Sequence, residues 1–286
     1  MSVCWIDGII VNKNQAKISV FDHGLLYGDG VFEGIRFYNK QVFQLKAHLA
    51  RLLDSAKSIL LNIPYTTNEL EAAINDVINA YAADNGYLRL VITRGKGPLS
   101  INPENCPRCT TLIIADQLSV MPPSVLQKGA KLVIASTRRL PVDGLDPRVK
   151  SLNYLNHILA KIEANQANAD EAVLLNAHGY VTEGTTDNIF ITKNNQLLTP
   201  PISDGALNGI TRNVVLELAR KLGIPCHEAT LSPHDLYIAD ECFLTGTAVE
   251  LIPVRQIDGR NMRDCPGPIY QKLQNAFNEE KTRLTL

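Results

Sequence analysis

Three stretches of this chain carry residue types that could combine into one reactive site. Lys150, in RVKSLNYLN, has an amine that attacks a carbonyl carbon once it is uncharged, which calls for a partly desolvated setting. Glu183, in GYVTEGTTDNIF, sets a carboxylate between an apolar strand and a Gly-Thr-Thr turn. Held against a ring nitrogen, such a carboxylate raises the pKa of that nitrogen by charge proximity. Gly209-Ile210-Thr211 opens a helix whose unpaired N–H groups and dipole favour an anion, and the Thr211 hydroxyl adds a donor. A lysine for a Schiff base, an acid for a pyridine nitrogen and a helix start for a phosphate are the parts that a pyridoxal phosphate site needs. Taken singly, each has a plainer reading: a solvated lysine, a turn acid and an N-cap threonine. The tight turn Thr245-Gly246-Thr247-Ala248 offers further donors, for a phosphate, a substrate carboxylate or nothing. Arg51, in AHLARLLDSA, is the cation a phosphate would want, on what is otherwise a solvated helix face.

The elements that must position these residues are legible from periodicity and breakers. Short apolar strands dominate the start: VCWID, GIIV, AKISV, VFEGIRFY and QVFQL. Leu49, Leu52, Leu53, Ala56, Ile59 and Leu60 recur at helical spacing over residues 46–60. Leu70, Ala73, Ile74, Val77 and Ile78 mark a second helix. DNG at 84–86 then turns the chain into the strand YLRLVITRG, and TTLIIAD at 110–116 is a buried strand. The second half begins with KLVIAS, and a helix is expected over residues 151–168. EAVLLN and the Glu183 segment follow as strands. A helix over 211–222 is closed by Gly223, ECFLTGTAVELIPV reads as strand, turn, strand, and a last helix covers roughly 268–281. The paired prolines and glycine of residues 118–130 suggest a linker between a domain of residues 1–117 and one of residues 131–286. Strands and helices mix without strict alternation, which predicts a mixed α/β (α+β) chain of two domains rather than one doubly wound sheet.

Composition narrows the partners. The chain has 286 residues, 45% of them hydrophobic, and a formal net charge of −1 with scattered basic residues, so nothing points to nucleic acid. No apolar run is long enough to span a membrane, and MSVCWIDGII has no basic region before an apolar stretch. The default is a cytoplasmic protein whose six cysteines are reduced. Cys106 and Cys109 form a CPRC in a proline-rich loop, where two loop thiols are a simpler reading than a redox pair. No metal is expected, since no further ligands sit at metal spacing.

Taken together, VFEGIR (31–36), HLARL (48–52), VKSLNYL (149–155), TEGTTDNIF (182–190), NGITR (208–212) and TGTAVE (245–250) resemble the branched-chain aminotransferase family. This is the fold-type IV, or class IV, group of pyridoxal-phosphate enzymes, and the resemblance runs over nearly the whole chain. It implies a smaller N-terminal α/β domain and a larger C-terminal pseudo-barrel α/β domain. It also implies a homodimer or larger assembly with a site partly shared between subunits.

By this resemblance Lys150 holds the cofactor, pyridoxal 5′-phosphate, as a Schiff base and carries the proton. Tyr154, one helical turn on, bonds the cofactor's phenolic oxygen, and Glu183 meets the pyridine nitrogen. Arg51, Ile210, Thr211 and Thr247 hold the phosphate; Leu207 packs on the ring, and Asn188 lies near the cofactor. Phe32, Arg36, Tyr87 and Arg89 line the substrate pocket, and the N–H groups of Thr247 and Ala248 hold the α-carboxylate. Tyr27 comes from the neighbouring subunit. The implied reaction is ping-pong transamination of L-leucine, L-isoleucine and L-valine with 2-oxoglutarate. One departure is the run YLRLVITRG, where branched-chain members often follow tyrosine-X-arginine with proline. It also looks like D-amino-acid aminotransferases and aminodeoxychorismate lyases, with Arg94 as a carboxylate ligand. A D-amino-acid or (R)-amine aminotransferase, the lyase, and a pyridoxal-phosphate-binding or structural dimer without turnover are therefore the alternatives.

Overall fold

Alternation divides the strand Gly30–Tyr38 into two working faces. Val31, Ile35 and Phe37 point one way, joining Leu88, Leu90 and Ile92 of Gly86–Thr93 in an apolar core. Phe32, Gly34 and Arg36 point the other way, with Val91, Arg89 and Tyr87 opposite them in antiparallel register. The computed structural model describes residues 2–118 and 121–283. In it these two strands are part of a six-stranded sheet ordered Ile9–Asn12, Val3–Ile6, Thr110–Asp116, Gly86–Thr93, Gly30–Tyr38, Gln41–Val42. The helices Leu45–Ser58 and Thr67–Ala80 cover its apolar face, burying Leu49, Leu52 and Ala56 from one and Leu70, Ile74 and Val77 from the other. A reciprocal capping box between Thr66 and Glu69 starts the second helix. This first unit runs to Leu118 and takes in Val149–Asn153.

The second unit comprises the described residues of Ser119–Arg148 and Tyr154–Arg283. Its strands follow the path Cys226–Glu228, Gln196–Thr199, Asn188–Lys193, Glu241–Gly246, Glu250–Ile257, Ala130–Arg138, Glu171–Leu175, Val181–Gly184, and Arg260–Asn261 pairs beside Glu250–Ile257. Ala130–Arg138 runs parallel to both neighbours, while most other pairs are antiparallel. The continuous burial of EAVLL explains why that strand shows no alternation in sequence. Helix Leu155–Gln166 connects the parallel strands Ala130–Arg138 and Glu171–Leu175. No helix among the described residues is long and apolar enough to cross a membrane.

Several expectations need correction. AKISV forms no strand: residues 16–20 have no ladder partner. Only Gln41–Val42 of QVFQL is strand, because the helix already begins at Leu45. The helix expected from residue 151 starts at Leu155, since Val149–Asn153 is extended and docks on the first sheet. That segment accordingly groups with the first unit rather than with residues 131–286. Within residues 118–130, Pro123–Lys128 is a short helix with Val125 buried in the second unit's core, and Ser119 and Val120 lie outside the described residues.

Leu49 is fully buried where helix meets sheet. Leu49→Ala is expected to cost about 2–5 kcal/mol by loss of burial plus the cavity left behind, visible as a lower urea midpoint in circular dichroism.

Candidate active site

Lys150 is held by its backbone before its side chain does anything. Residues 149–153 run along the edge of Gly30–Tyr38 that the short strand Gln41–Val42 leaves uncovered. Phe32 N donates to Lys150 O at 3.0 Å, Leu152 N to Gly30 O at 3.0 Å, and Val31 bridges Ser151. Lys150 N donates to Ser55 Oγ on helix Leu45–Ser58 at 3.1 Å. Asn153 Nδ2 donates to Gly28 O at 3.0 Å, closing the segment at its far end. The half-buried Lys150 puts Nζ 4.5 Å from the centroid of the Phe32 ring.

The same face carries the expected substrate residues. Arg89 lies over the rings of Phe32 and Tyr87, at 4.6 and 5.6 Å, so two aromatic faces hold its guanidinium by cation–π attraction. Arg36 joins them by register. A Cβ on Gly34 would overlap the Tyr87 hydroxyl, so any larger residue there would have to displace the Tyr87 side chain. Tyr27 ends the helix His23–Tyr27, half-turned to solvent, with its ring edge-on to His23 at 4.9 Å. Arg94 is otherwise engaged. Its Nε and Nη2 bond the Asp29 carboxylate at 2.8 and 3.0 Å, and Nη1 and Nη2 bond the carbonyls of Leu60 and Ile59 at 2.7 Å. The expectation that it binds a substrate carboxylate is corrected on that ground, because the substrate would have to displace Asp29.

Arg51 does not lie on a solvated face. Its Nε and Nη2 each bond the buried Glu33 carboxylate at 2.7 Å, and His48 Nδ1 lies 2.8 Å from the same group. Burial pushes Glu33 up, but the Arg51 charge and the bonds from Arg51 and His48 outweigh it and bring it down to about 2.

In the second unit Glu183 stands on strand Val181–Gly184, opposite Leu174, and is buried. Arg139 Nε bonds its Oε1 at 2.9 Å, His157 Nε2 lies 3.7 Å from the same oxygen, and Leu207 N donates to Oε2 at 2.9 Å. Burial alone would raise this carboxyl; His157, Arg139 and the Leu207 N–H together hold it below the usual carboxylate range. His157 stacks on Tyr154 with ring centroids 4.4 Å apart. Tyr154 itself is the N-cap residue of Leu155–Gln166, so it follows Lys150 across an extended segment and not one helical turn on, as expected from sequence. Arg139 and His157 carry no motif and are invisible in sequence; Arg139 lies just past a strand end and His157 on a helix face.

The elements expected to bind an anion adjoin Glu183 in this unit. Asn188 Nδ2 donates to Leu207 O at 2.9 Å, and a Cβ on Gly209 would overlap Asn188 Oδ1. Asn188 therefore braces the turn that links Glu183 to the start of helix Ile210–Lys221. That helix has no side-chain cap at Gly209, and Thr211 is buried in its first turn. The turn 247–249, between Glu241–Gly246 and Glu250–Ile257, holds Thr247 and Ala248. Gly246 permits close packing there, since a Cβ would lie 2.5 Å from Asp187 Oδ1. Burial, reinforced by the nearby Glu171 charge, pushes Asp187 up toward its protonated form. Thr245 Oγ1 is buried with no partner among the described residues. An ionised buried carboxylate, an uncapped helix start and an unpartnered hydroxyl beside a tight turn fit the pyridine and phosphate ends of pyridoxal phosphate. Cys106 and Cys109 are not bonded to each other, and burial raises the Cys109 thiol, which suits a bystander.

Comparison with known proteins agrees. A model of the family described as amino-transferase class IV matches residues 30–257. A protein of Methanocaldococcus jannaschii, provisionally named a branched-chain-amino-acid aminotransferase, is 50% identical over 280 residues, 98% of this chain and 96% of its own. The crystal structure of Escherichia coli branched-chain amino acid aminotransferase matches with a TM-score of 0.95 at 35% identity, covering 99% of this chain and 96% of that one. The branched-chain aminotransferase of the archaeon Thermoproteus uzoniensis, solved with norvaline, matches at 0.92 and 37% identity, covering 98% and 95%. Another branched-chain amino acid aminotransferase, complexed with N-(5′-phosphopyridoxyl)-L-glutamate, matches at 0.91 and 36% identity, covering 99% and 94%.

Two outcomes follow from the geometry. Glu33 is depressed from an ordinary 4.5 to about 2, so its stabilisation is complete above about 4.5 and is lost as the pH falls toward about 2. Thermal melting in that window should fall steeply for the wild type and less steeply for Glu33→Gln. Gly209→Ala should push Asn188 aside and weaken pyridoxal phosphate binding about tenfold, measured by equilibrium dialysis.

Proposed function

The chain belongs to the class IV aminotransferase family, and from that premise we propose that it transfers the amino group of L-leucine, L-isoleucine and L-valine to 2-oxoglutarate, with pyridoxal 5′-phosphate as cofactor. The observation that carries this reading is the buried Glu183, held ionised by Arg139, His157 and the Leu207 N–H. An acid maintained in that state, in a chain that also carries Lys150, is what a pyridine nitrogen kept protonated requires. When bound, the cofactor supplies the electron sink for the pair left at the amino acid's Cα.

The chain's own residues do the rest. Lys150 would hold the cofactor; its Nζ, freed when the substrate amine takes its place, would move the proton from Cα to the cofactor's C4′, and the second half-reaction would run the same transfer in reverse. Glu183 keeps the proton on the pyridine nitrogen by charge proximity. Tyr154, steadied by its stack on His157, donates to the phenolic oxygen. Arg51, Ile210, Thr211 and Thr247 hold the phosphate, and Leu207, fixed through its N–H and C=O, packs on the ring. The Thr247 and Ala248 N–H groups orient the α-carboxylate. Phe32 and Tyr87 present aromatic walls to a branched side chain, while Arg89 and Arg36 serve the carboxylate of the acceptor.

The assembly is a homodimer in which Tyr27 reaches the neighbouring subunit's site. Helix Leu155–Gln166 supports this, since Leu155, Ile158, Leu159 and Ile162 form an exposed apolar stripe at helical spacing that a second copy would cover. Six unpaired cysteines suit a cytoplasmic setting. The D-amino-acid and lyase alternatives drew on Arg94, which Asp29 now occupies.

The purified protein should be yellow. L-leucine alone should change its visible spectrum, 2-oxoglutarate should restore it, and D-alanine should do neither. If D-alanine changes the spectrum and L-leucine does not, the branched-chain reading is wrong. Lys150→Ala should lower turnover by about a thousandfold or more.

A further inference from the structure

Glu33 has no part in the roles assigned above, yet it is a fully buried charge on a strand that carries Phe32 on its other face. Its side chain turns toward helix Leu45–Ser58, and every bond it makes there comes from that helix. Oε1 accepts from Arg51 Nε, Oε2 accepts from Arg51 Nη2, and His48 Nδ1 stands against Oε2. His48, Arg51 and Ser55 follow one another at helical spacing, so they share a face. Ser55 in turn receives the Lys150 N–H. One carboxylate thus sets the rotation of the helix that presents both Arg51 and the support under Lys150.

Stability does not explain the charge. A buried ion pair is often matched or bettered by apolar residues of the same volume, and the surrounding core is already apolar. What apolar residues cannot supply is orientation. A two-point grip on Nε and Nη2 fixes the plane of a guanidinium whose side chain otherwise ranges over many rotamers. It also turns the Nη1 edge, the one Glu33 does not take, in a single direction.

We infer that Glu33 is a positioning residue that locks the Arg51 guanidinium in the plane that receives the cofactor phosphate, and through the same helix keeps Ser55 under the Lys150 backbone. The inference rests on the reading of Arg51 as a phosphate ligand. Glu33 itself does not touch the cofactor, so its loss should weaken the grip on the phosphate and leave the grip on the ring alone.

The test uses cofactor-depleted full-length protein and two probes, pyridoxal 5′-phosphate and pyridoxal, with dissociation constants from equilibrium dialysis. Arg51→Ala should weaken pyridoxal 5′-phosphate binding by about tenfold or more and leave pyridoxal unchanged. Glu33→Gln should do nearly the same, and the double variant should be no worse than Arg51→Ala. Arg51→Lys keeps the charge but cannot make the two-point contact, so it should behave like Glu33→Gln. If Arg51→Ala leaves the preference for the phosphorylated probe intact, the phosphate reading of Arg51 fails and the inference falls with it. If Arg51→Ala loses the preference while Glu33→Gln or Arg51→Lys keeps it, Arg51 binds phosphate without positioning and the inference alone is overturned. Should Glu33→Gln not fold, Arg51→Lys decides in the same way.

Discussion

Burial pushes the Glu183 carboxyl toward its neutral form, and three groups of the second unit hold it ionised: the Arg139 guanidinium, His157 and the Leu207 N–H. Each arrives from a different element. Arg139 lies just past the strand Ala130–Arg138, His157 sits on helix Leu155–Gln166, and Leu207 lies in the turn before helix Ile210–Lys221. An unpaired carboxylate in such a place would take up a proton and lose its use. The arrangement of these elements is therefore constrained by one charge. Through Leu207 and Asn188 the same constraint fixes the start of helix Ile210–Lys221.

The first unit meets a comparable demand by comparable means. Glu33 is paired by a single helix, and that helix also supports the backbone of Lys150. Alternation along Gly30–Tyr38 lets one strand serve two ends: Glu33 on the helix side and Phe32 beneath Lys150 and Arg89 on the other. Reactive groups placed on strands and braced helices in this way lose little precision to loop motion.

Much of the scaffold was readable from the sequence because its signals are local. The helix Leu45–Ser58 announced itself through Leu49, Leu52 and Ala56, and the helix Ile210–Lys221 through its apolar face and Gly223. AKISV failed because strand propensity without a partner makes no ladder. The helix expected from residue 151 begins at Leu155 because pairing of residues 149–153 with a strand over a hundred positions away overrides local helical preference. The family's motifs flagged Lys150, Glu183 and the Gly209 helix start. Arg139, His157, Glu33 and Ser55 carry no such mark, because their importance lies in tertiary contacts that leave no spacing in sequence. The resemblance packs Leu207 on the cofactor ring and places Asn188 near the cofactor; the structure gives their polar groups a further task, that of bracing one another and Glu183.

The central claim is that an ionised Glu183 is what makes this a working transaminase site. Glu183→Gln removes the charge and keeps the shape, so it isolates that claim. The measurement is the single-turnover rate of the cofactor-loaded protein with L-leucine alone, followed by stopped-flow absorbance. The account predicts a fall of about a hundredfold or more, with pyridoxal 5′-phosphate still bound. A Glu183→Gln protein that holds the cofactor and turns over L-leucine at the wild-type rate would contradict it.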